Sequence, residues 1–396
     1  MSPYISIAPI DSLVHENISI VINNLSYQNI YKVELRFLHK TGTYRSFGVF
    51  KSNVTGCIDL SKIAPLRGSY AGVNERGLFE SLEPTDNVRY GGYCNCTPPD
   101  DFNYLLMVID TKGRVVCQKH LRRRLKHPSV ERKEIETSFS TNDETGKPKI
   151  TGTVFKPPGD GPFPTIIDIS GTGGGLNEQK DAINYITSLP YTNDRIGFQG
   201  VSFGGTLVML FSTKFPKIKA VCSINGSFSM DEYSHITVNG VQPPIGRFSD
   251  TGEHVRFLND LMVYADMVRN IKLDEGAEFD FESSSSDTAF RFVSALDDMS
   301  TPTIYSTNLL TGILRELNRE VDVDFVPGGH LLDPPCFPHH PMVYSNIAGT
   351  FQTYGGETSL HGKSEFDVWE RTVQFFSRHL GAPTPLPDYL RHSAKL

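Results

Sequence analysis

Arg195-Ile196-Gly197-Phe198-Gln199-Gly200-Val201-Ser202-Phe203-Gly204-Gly205 is the stretch that decides the fold. It opens as an apolar strand, turns at Gly-x-Ser-x-Gly, and continues into residues 206–215, which read as a helix. Strand, turn and helix in that order form a nucleophile elbow, whose serine hydroxyl stands exposed above a sheet on a strained turn. Gly200 and Gly204 lack a Cβ because strand and helix pass close together there. The helix N-terminus adds N–H donors and a positive dipole end, which suit a developing oxyanion. An ordinary serine on a Gly-rich turn would leave the same local pattern, so the assignment depends on partners elsewhere in the chain.

Those partners are sought at strand ends. From residue 150 the pattern alternates strand and helix. Residues 150–155, 164–169, 218–224, 289–296 and 321–326 read as strands, and residues 182–189 as a short helix before the elbow. Such alternation predicts a parallel α/β sheet, in which sites collect at the C-terminal ends of strands. Asp297-Asp298 ends the strand at 289–296, and Pro327-Gly328-Gly329-His330 ends the last one. The order Ser202, Asp297 or Asp298, His330 is that of α/β-hydrolases. The chemistry needs each type: His330 takes the proton of Ser202 and returns it to the leaving group, and a carboxylate fixes its tautomer. Spacing does not choose between the two aspartates.

Ser170-Gly171-Thr172-Gly173-Gly174-Gly175 follows a strand just upstream of the elbow. It lacks the Lys-Ser/Thr of a Walker loop. An oxyanion hole fits better, with the N–H of Gly173 or Gly174 joining that of Phe203. No cluster has metal-ligand spacing, His339-His340 being only an adjacent pair, and no cofactor is expected.

The rest of the chain bounds the function. It has 396 residues, 38% hydrophobic and 21% charged, with a net charge of −7. That composition suits a globular protein of two domains or more and gives no basic field for nucleic acid. No run approaches the roughly 18 apolar residues of a membrane span. Met1-Ser2-Pro3-Tyr4 lacks a basic region followed by an apolar run, so no signal peptide is expected, and the six scattered cysteines are expected to stay thiols. The Asn-x-Ser/Thr triplets then read as chance matches.

Residues 1–135 are expected to form a β-sandwich, from short β-rich runs at 18–22, 31–38 and 105–109 between frequent turn signals. Arg122-Arg123-Arg124-Leu125-Lys126-His127 reads as a solvated linker, and the polar stretch to about residue 147 as the boundary. The α/β domain spans 148–382. Within it, 228–287 are polar and irregular, a cap with an exposed loop at 283–286. Phe366, Trp369, Val373, Phe376 and Leu380 recur at helical spacing and read as a terminal helix packed on the sheet. Residues 383–396 form an extended, Pro-containing tail.

Several segments together resemble one family, the type I acyl-CoA thioesterases and the bile acid-CoA:amino acid N-acyltransferases. They are Gly68-Ser69-Tyr70-Ala71-Gly72, Gly77-Leu78-Phe79-Glu80-Ser81-Leu82-Glu83-Pro84, Gly152-Thr153-Val154-Phe155-Lys156-Pro157-Pro158, Gly171-Thr172-Gly173-Gly174-Gly175-Leu176, Ser223-Ile224-Asn225-Gly226-Ser227, Gly329-His330-Leu331-Leu332-Asp333-Pro334-Pro335-Cys336-Phe337-Pro338, Tyr354-Gly355-Gly356 and the helix around Trp369. The resemblance implies an immunoglobulin-like sandwich ahead of an α/β-hydrolase domain. It implies hydrolysis of fatty acyl-CoA through an acyl-enzyme, with Asp298 as the triad acid. Serine at 202, where the family's acyltransferases carry cysteine, points to the thioesterase branch. N-acyl transfer to an amino acid is the alternative. The family also carries several tens more residues between the Gly-rich loop and the elbow. The shortened connection implies a sheet lacking one central strand, and an inactive shortened form as a further alternative.

The chain ends Ser393-Ala394-Lys395-Leu396. Ala394-Lys395-Leu396 is similar to the Ser-Lys-Leu address, which implies an import receptor as partner and a peroxisomal location, with a cytoplasmic one as alternative.

Overall fold

The structure is a computed structural model that describes residues 2–94, 100–138, 149–171, 179–234, 236, 241–249, 252–346, 348–383 and 386. Its N-terminal part is built from strands whose apolar residues alternate. In Tyr4–Ala8, Ile5 and Ile7 point inward, and in Ser19–Asn23, Ile20 and Ile22 do. These two strands pair antiparallel and, with Ile58–Asp59, make a three-stranded sheet. A seven-stranded sheet runs in the order Asp11–Leu13, Val115–Arg124, Asp101–Ile109, Ile30–His39, Gly42–Lys51, Arg67–Gly68, with Glu83–Pro84 also pairing Gly42–Lys51. Ile5, Ile20, Ile22 and Ile58 from the first sheet share one core with Val33, Leu35, Phe102 and Leu106 from the second. Each such buried side chain contributes about 1.5–3 kcal/mol relative to exposure.

The basic cluster is not a solvated linker. Arg122, Arg123 and Arg124 lie in the strand Val115–Arg124, between Asp101–Ile109 and Asp11–Leu13. Arg123 is fully buried, donating to Ser12 Oγ at 2.9 Å and to the carbonyls of Val14 and Glu16 at 2.7 Å each. Arg122 and Arg124 flank it on the other face and both pair with Asp11. Three cations in a row read as surface when their partners lie over a hundred residues away in sequence. Nor is the next stretch plain linker: Glu131–Ser138 is a strand paired antiparallel with Lys149–Lys156.

The C-terminal sheet has five parallel strands in chain order: Phe163–Ile169, Thr192–Val201, Ile218–Ile224, Ala289–Ala295 and Val321–Val326. The two inner strands Ile218–Ile224 and Ala289–Ala295 are buried along almost their whole length. Phe198, Val221, Phe290 and Phe292 pack with the connecting helices Gln179–Ser188, Phe203–Lys214 and Thr303–Glu316. Cys222, Ile224, Val293 and Ala295 meet the terminal helix Thr358–Leu380 through Val368, Phe375, Phe376 and Leu380. Right-handed crossovers between strands in chain order put their helices on one face. The other face is left for the terminal helix, where Val373, expected inside, is exposed. Residues 246–249 and 252–283 carry short strands and helical turns rather than irregular chain, and Ser284, expected exposed, is buried.

Among the described residues, the edge strand Phe163–Ile169 pairs only with Thr192–Val201, and Lys149–Lys156 only with Glu131–Ser138. Between them lies a cleft of about 530 Å³ lined by Val154, Phe155, Ile166 and Ile186, with Phe155 and Ile166 over two-fifths exposed. Backbone groups on such edges bond to water, not to a ladder. Amides of 163–169 directed at the cleft should therefore exchange with solvent at least about 10²-fold faster than those of 218–224, paired on both sides. Hydrogen-exchange mass spectrometry reads this directly. Equal protection would mean the cleft is closed in solution.

Candidate active site

The strand ends bring three side chains together. Ser202 begins the helix Phe203–Lys214 with φ 59° and ψ −125°, a left-handed backbone that a serine adopts only when its surroundings enforce it. Its N–H donates to Ile224 O at 2.8 Å, and its carbonyl accepts from Thr206 N at 3.1 Å. A Cβ on Gly200 would lie 2.3 Å from the backbone of Gly204, and one on Gly204 would lie 2.1 Å from Ile169 O. Only glycines let strand and helix close to that distance.

His330 follows the last strand and is 2% exposed. Its Nε2 is 2.7 Å from Ser202 Oγ, and its Nδ1 is 2.8 Å from Asp298 Oδ2. Asp298 Oδ1 accepts from the N–H groups of Ser300 and Thr301, both at 2.8 Å, so the carboxylate is held from two sides. Asp297 points elsewhere: its Oδ2 accepts from Gly356 N at 2.8 Å. The order Ser202–His330–Asp298 lets a proton leave the hydroxyl for an imidazole whose other nitrogen is tied to a fixed anion.

Phe203 is the first helical residue, so its N–H has no partner in a preceding turn. Gly173 and Gly174 lie outside the described residues. Gly171 does not, and a Cβ there would stand 3.2 Å from that of Ser202, so the Gly-rich segment starts against the serine. A cavity of about 600 Å³ opens there, lined by Ser170, Gly171, Ser202, Leu331, Val368 and Trp369 among others. That volume is in the range of small-molecule sites.

Sequence reasoning missed the layer behind the histidine. Gly329 N donates to His361 Nδ1 at 3.0 Å, and the His361 ring lies 4.1 Å from that of His339. Burial holds both imidazoles below the ordinary value, as it does His340, pushed down to about 3. The Tyr354 ring stands edge-on to His330 at 5.0 Å, and burial pushes its phenol up to about 12. No spacing in the sequence joins these residues to His330: His361 comes from the terminal helix Thr358–Leu380, and Tyr354 is held by the bond from His330 N to its carbonyl at 2.8 Å. Among the described residues no His, Cys, Asp and Glu side chains gather as a metal site, and no helix is long and apolar enough to cross a membrane.

Two family models match this chain. Residues 15–137 match the acyl-CoA thioester hydrolase/BAAT N-terminal region, and residues 179–382 match the BAAT/acyl-CoA thioester hydrolase C-terminal region. The chain belongs to the acyl-CoA thioester hydrolase/BAAT family. Among curated relatives in that family, human acyl-coenzyme A thioesterase 2, mitochondrial, is 26% identical over 86% of this chain and 77% of its own. Mouse peroxisomal succinyl-coenzyme A thioesterase is 24% identical over 93% and 94% respectively. Human acyl-coenzyme A thioesterase 1 is 26% identical over 86% and 88%.

The two adjacent aspartates should separate in mutants. Asp298→Asn keeps the shape but releases the His330 tautomer, and kcat should fall about 10³–10⁴-fold with KM little changed. Asp297→Asn retains an oxygen for Gly356 N and should cost less than about 10-fold. Steady-state kinetics on the two variants read the difference, and equal losses would overturn this assignment.

Proposed function

We propose that this chain hydrolyses fatty acyl-CoA thioesters to free fatty acid and CoA, with Ser202 as nucleophile, His330 as general base and acid, and Asp298 as the carboxylate behind it. The observation that carries the reading is the continuous hydrogen-bonded line from Ser202 Oγ through His330 to Asp298. Ser202 Oγ attacks the thioester carbonyl while His330 Nε2 takes its proton. The N–H of Phe203, with one from the Gly173–Gly174 segment, holds the oxyanion. Collapse of the tetrahedral intermediate breaks the C–S bond. His330 protonates the departing thiolate, and CoA leaves an acyl-serine. Water, deprotonated by His330, then attacks the acyl-serine and releases the acid.

In this reading residues 1–135 are an immunoglobulin-like sandwich and 148–382 an α/β-hydrolase domain whose short connection between Gly175 and Gly200 has cost it one central strand. The edges of Phe163–Ile169 and Lys149–Lys156, which have no further partner strand among the described residues, support the latter. The test is CoA release from a long-chain acyl-CoA by the purified chain, with and without glycine or taurine. Free acid as product in both supports hydrolysis. An N-acyl amino acid would move the chain to the transferase reading.

The location follows as a second part of the proposal. Ala394-Lys395-Leu396, outside the described residues, addresses the chain to the peroxisomal import receptor. Fusing a fluorescent protein to the N-terminus should give puncta that disperse to the cytosol when Leu396 is removed. An unchanged distribution would remove this part and leave the chemistry intact.

A further inference from the structure

The segment Ser223-Ile224-Asn225-Gly226-Ser227 has no part in the reaction above, yet it sits where all three strand ends meet. Ile224 O holds the N–H of Ser202 at 2.8 Å. Asn225 is next, 1% exposed, with φ 51°. Asparagine tolerates that left-handed backbone better than other residues with a Cβ. Its backbone N–H donates to Val293 O at 2.9 Å. Its side-chain Oδ1 accepts from Ala295 N at 2.8 Å, at the end of the strand that leads to Asp298. Its Nδ2 donates to His330 O at 2.6 Å and more weakly to Gly329 O at 3.4 Å. One dipeptide thus grips the backbone of the serine, the strand of the aspartate and the backbone of the histidine.

We infer that Asn225 is a positioning residue for the candidate site, its carboxamide fixing the His330 loop against the strand that carries Asp298. The inference rests on the triad reading. The physical reason is the amide's two-sided chemistry. Two carbonyls at 329 and 330 need donors, and the N–H at 295 needs an acceptor. A buried side chain of that length meets both needs only if one end donates and the other accepts. Without the donor, the loop carbonyls are buried against an apolar wall or a repelling oxygen, and the loop shifts. A displacement of about 1 Å at a reacting group is worth about 10²-fold in rate.

The test reads Ser202 activation without a CoA substrate, through the rate of covalent labelling by a fluorophosphonate. Asn225→Asp keeps the shape and the acceptor and exchanges the donor for a second oxygen. Asn225→Gly keeps the left-handed backbone and removes the side chain. Labelling by Asn225→Gly should be about 10²-fold slower than wild type across the pH range. For Asn225→Asp the deficit should be small at acidic pH, where a protonated carboxyl donates as the amide does. It should grow as pH rises and the carboxyl ionises. Circular dichroism melts of both variants establish that the folded fraction is unchanged over the pH range used. A purely structural role would slow labelling only as the folded fraction falls, so that pattern, or wild-type labelling rates in both folded variants, would overturn the inference. A folded wild-type chain that does not label would overturn the triad reading and this inference with it.

Discussion

Replacing Ser202 by alanine should lower kcat for acyl-CoA hydrolysis at least about 10⁴-fold, with KM for the substrate little changed. The alanine removes the atom that would form the acyl bond and leaves everything that binds. Its backbone is already enforced at φ 59° by the Ile224 carbonyl and the start of the following helix, so alanine inherits the same turn. His330, 2.7 Å from the lost oxygen, keeps its tie to Asp298. Residual turnover would then come from water attacking directly, with the proposed oxyanion donors untouched. Discontinuous measurement of released CoA thiol reads the change. A variant within about 10-fold of wild type would place the nucleophile elsewhere.

Gly204→Ala should abolish folding to a soluble protein or destabilise it by more than about 3 kcal/mol. In a helix interior, alanine is otherwise the better residue by about 1 kcal/mol. Here the clash wins, because the added Cβ would lie 2.1 Å from Ile169 O and 2.7 Å from Ser170 O. Both are backbone atoms of a neighbouring strand end that no rotamer change can move. Gly312 in the helix Thr303–Glu316 is the internal control, with nothing within 4 Å of its Cβ position. Gly312→Ala should stabilise by about 0.5–1 kcal/mol. Chemical denaturation of the two variants beside wild type tests both, and similar behaviour of the pair would mean that strand and helix do not close as described.

The legible parts of the site were those written locally. The elbow could be read because it changes from strand to helix period within eleven residues. Asp297-Asp298 and His330 were visible because parallel strands leave their chemistry just past their C-terminal ends. The strands Ile218–Ile224 and Val321–Val326 begin and end at the bounds expected of them. The arginine row misled for the opposite reason. Charge reads as solvent unless the partner is known, and Asp11, Ser12 and the Val14 carbonyl are remote in sequence.

Sequence alone thus marked Ser202, the pair Asp297-Asp298 and His330 as candidates, through the strand and turn periodicities that a short window contains. It also carried the shortness of the connection ahead of the elbow. Tertiary structure decided what no window contains. It put Asp298, the member of the pair that the resemblance had implied, beside His330, through the turn at Ser300 and Thr301 that holds its carboxylate, while Asp297 meets Gly356. It buried Arg123, placed Asn225 between the three strand ends, and left the two strand edges facing one cleft. Each of these is a relation between residues far apart in the chain, fixed by hydrogen-bond directions and close packing that exist only once the sheets have formed.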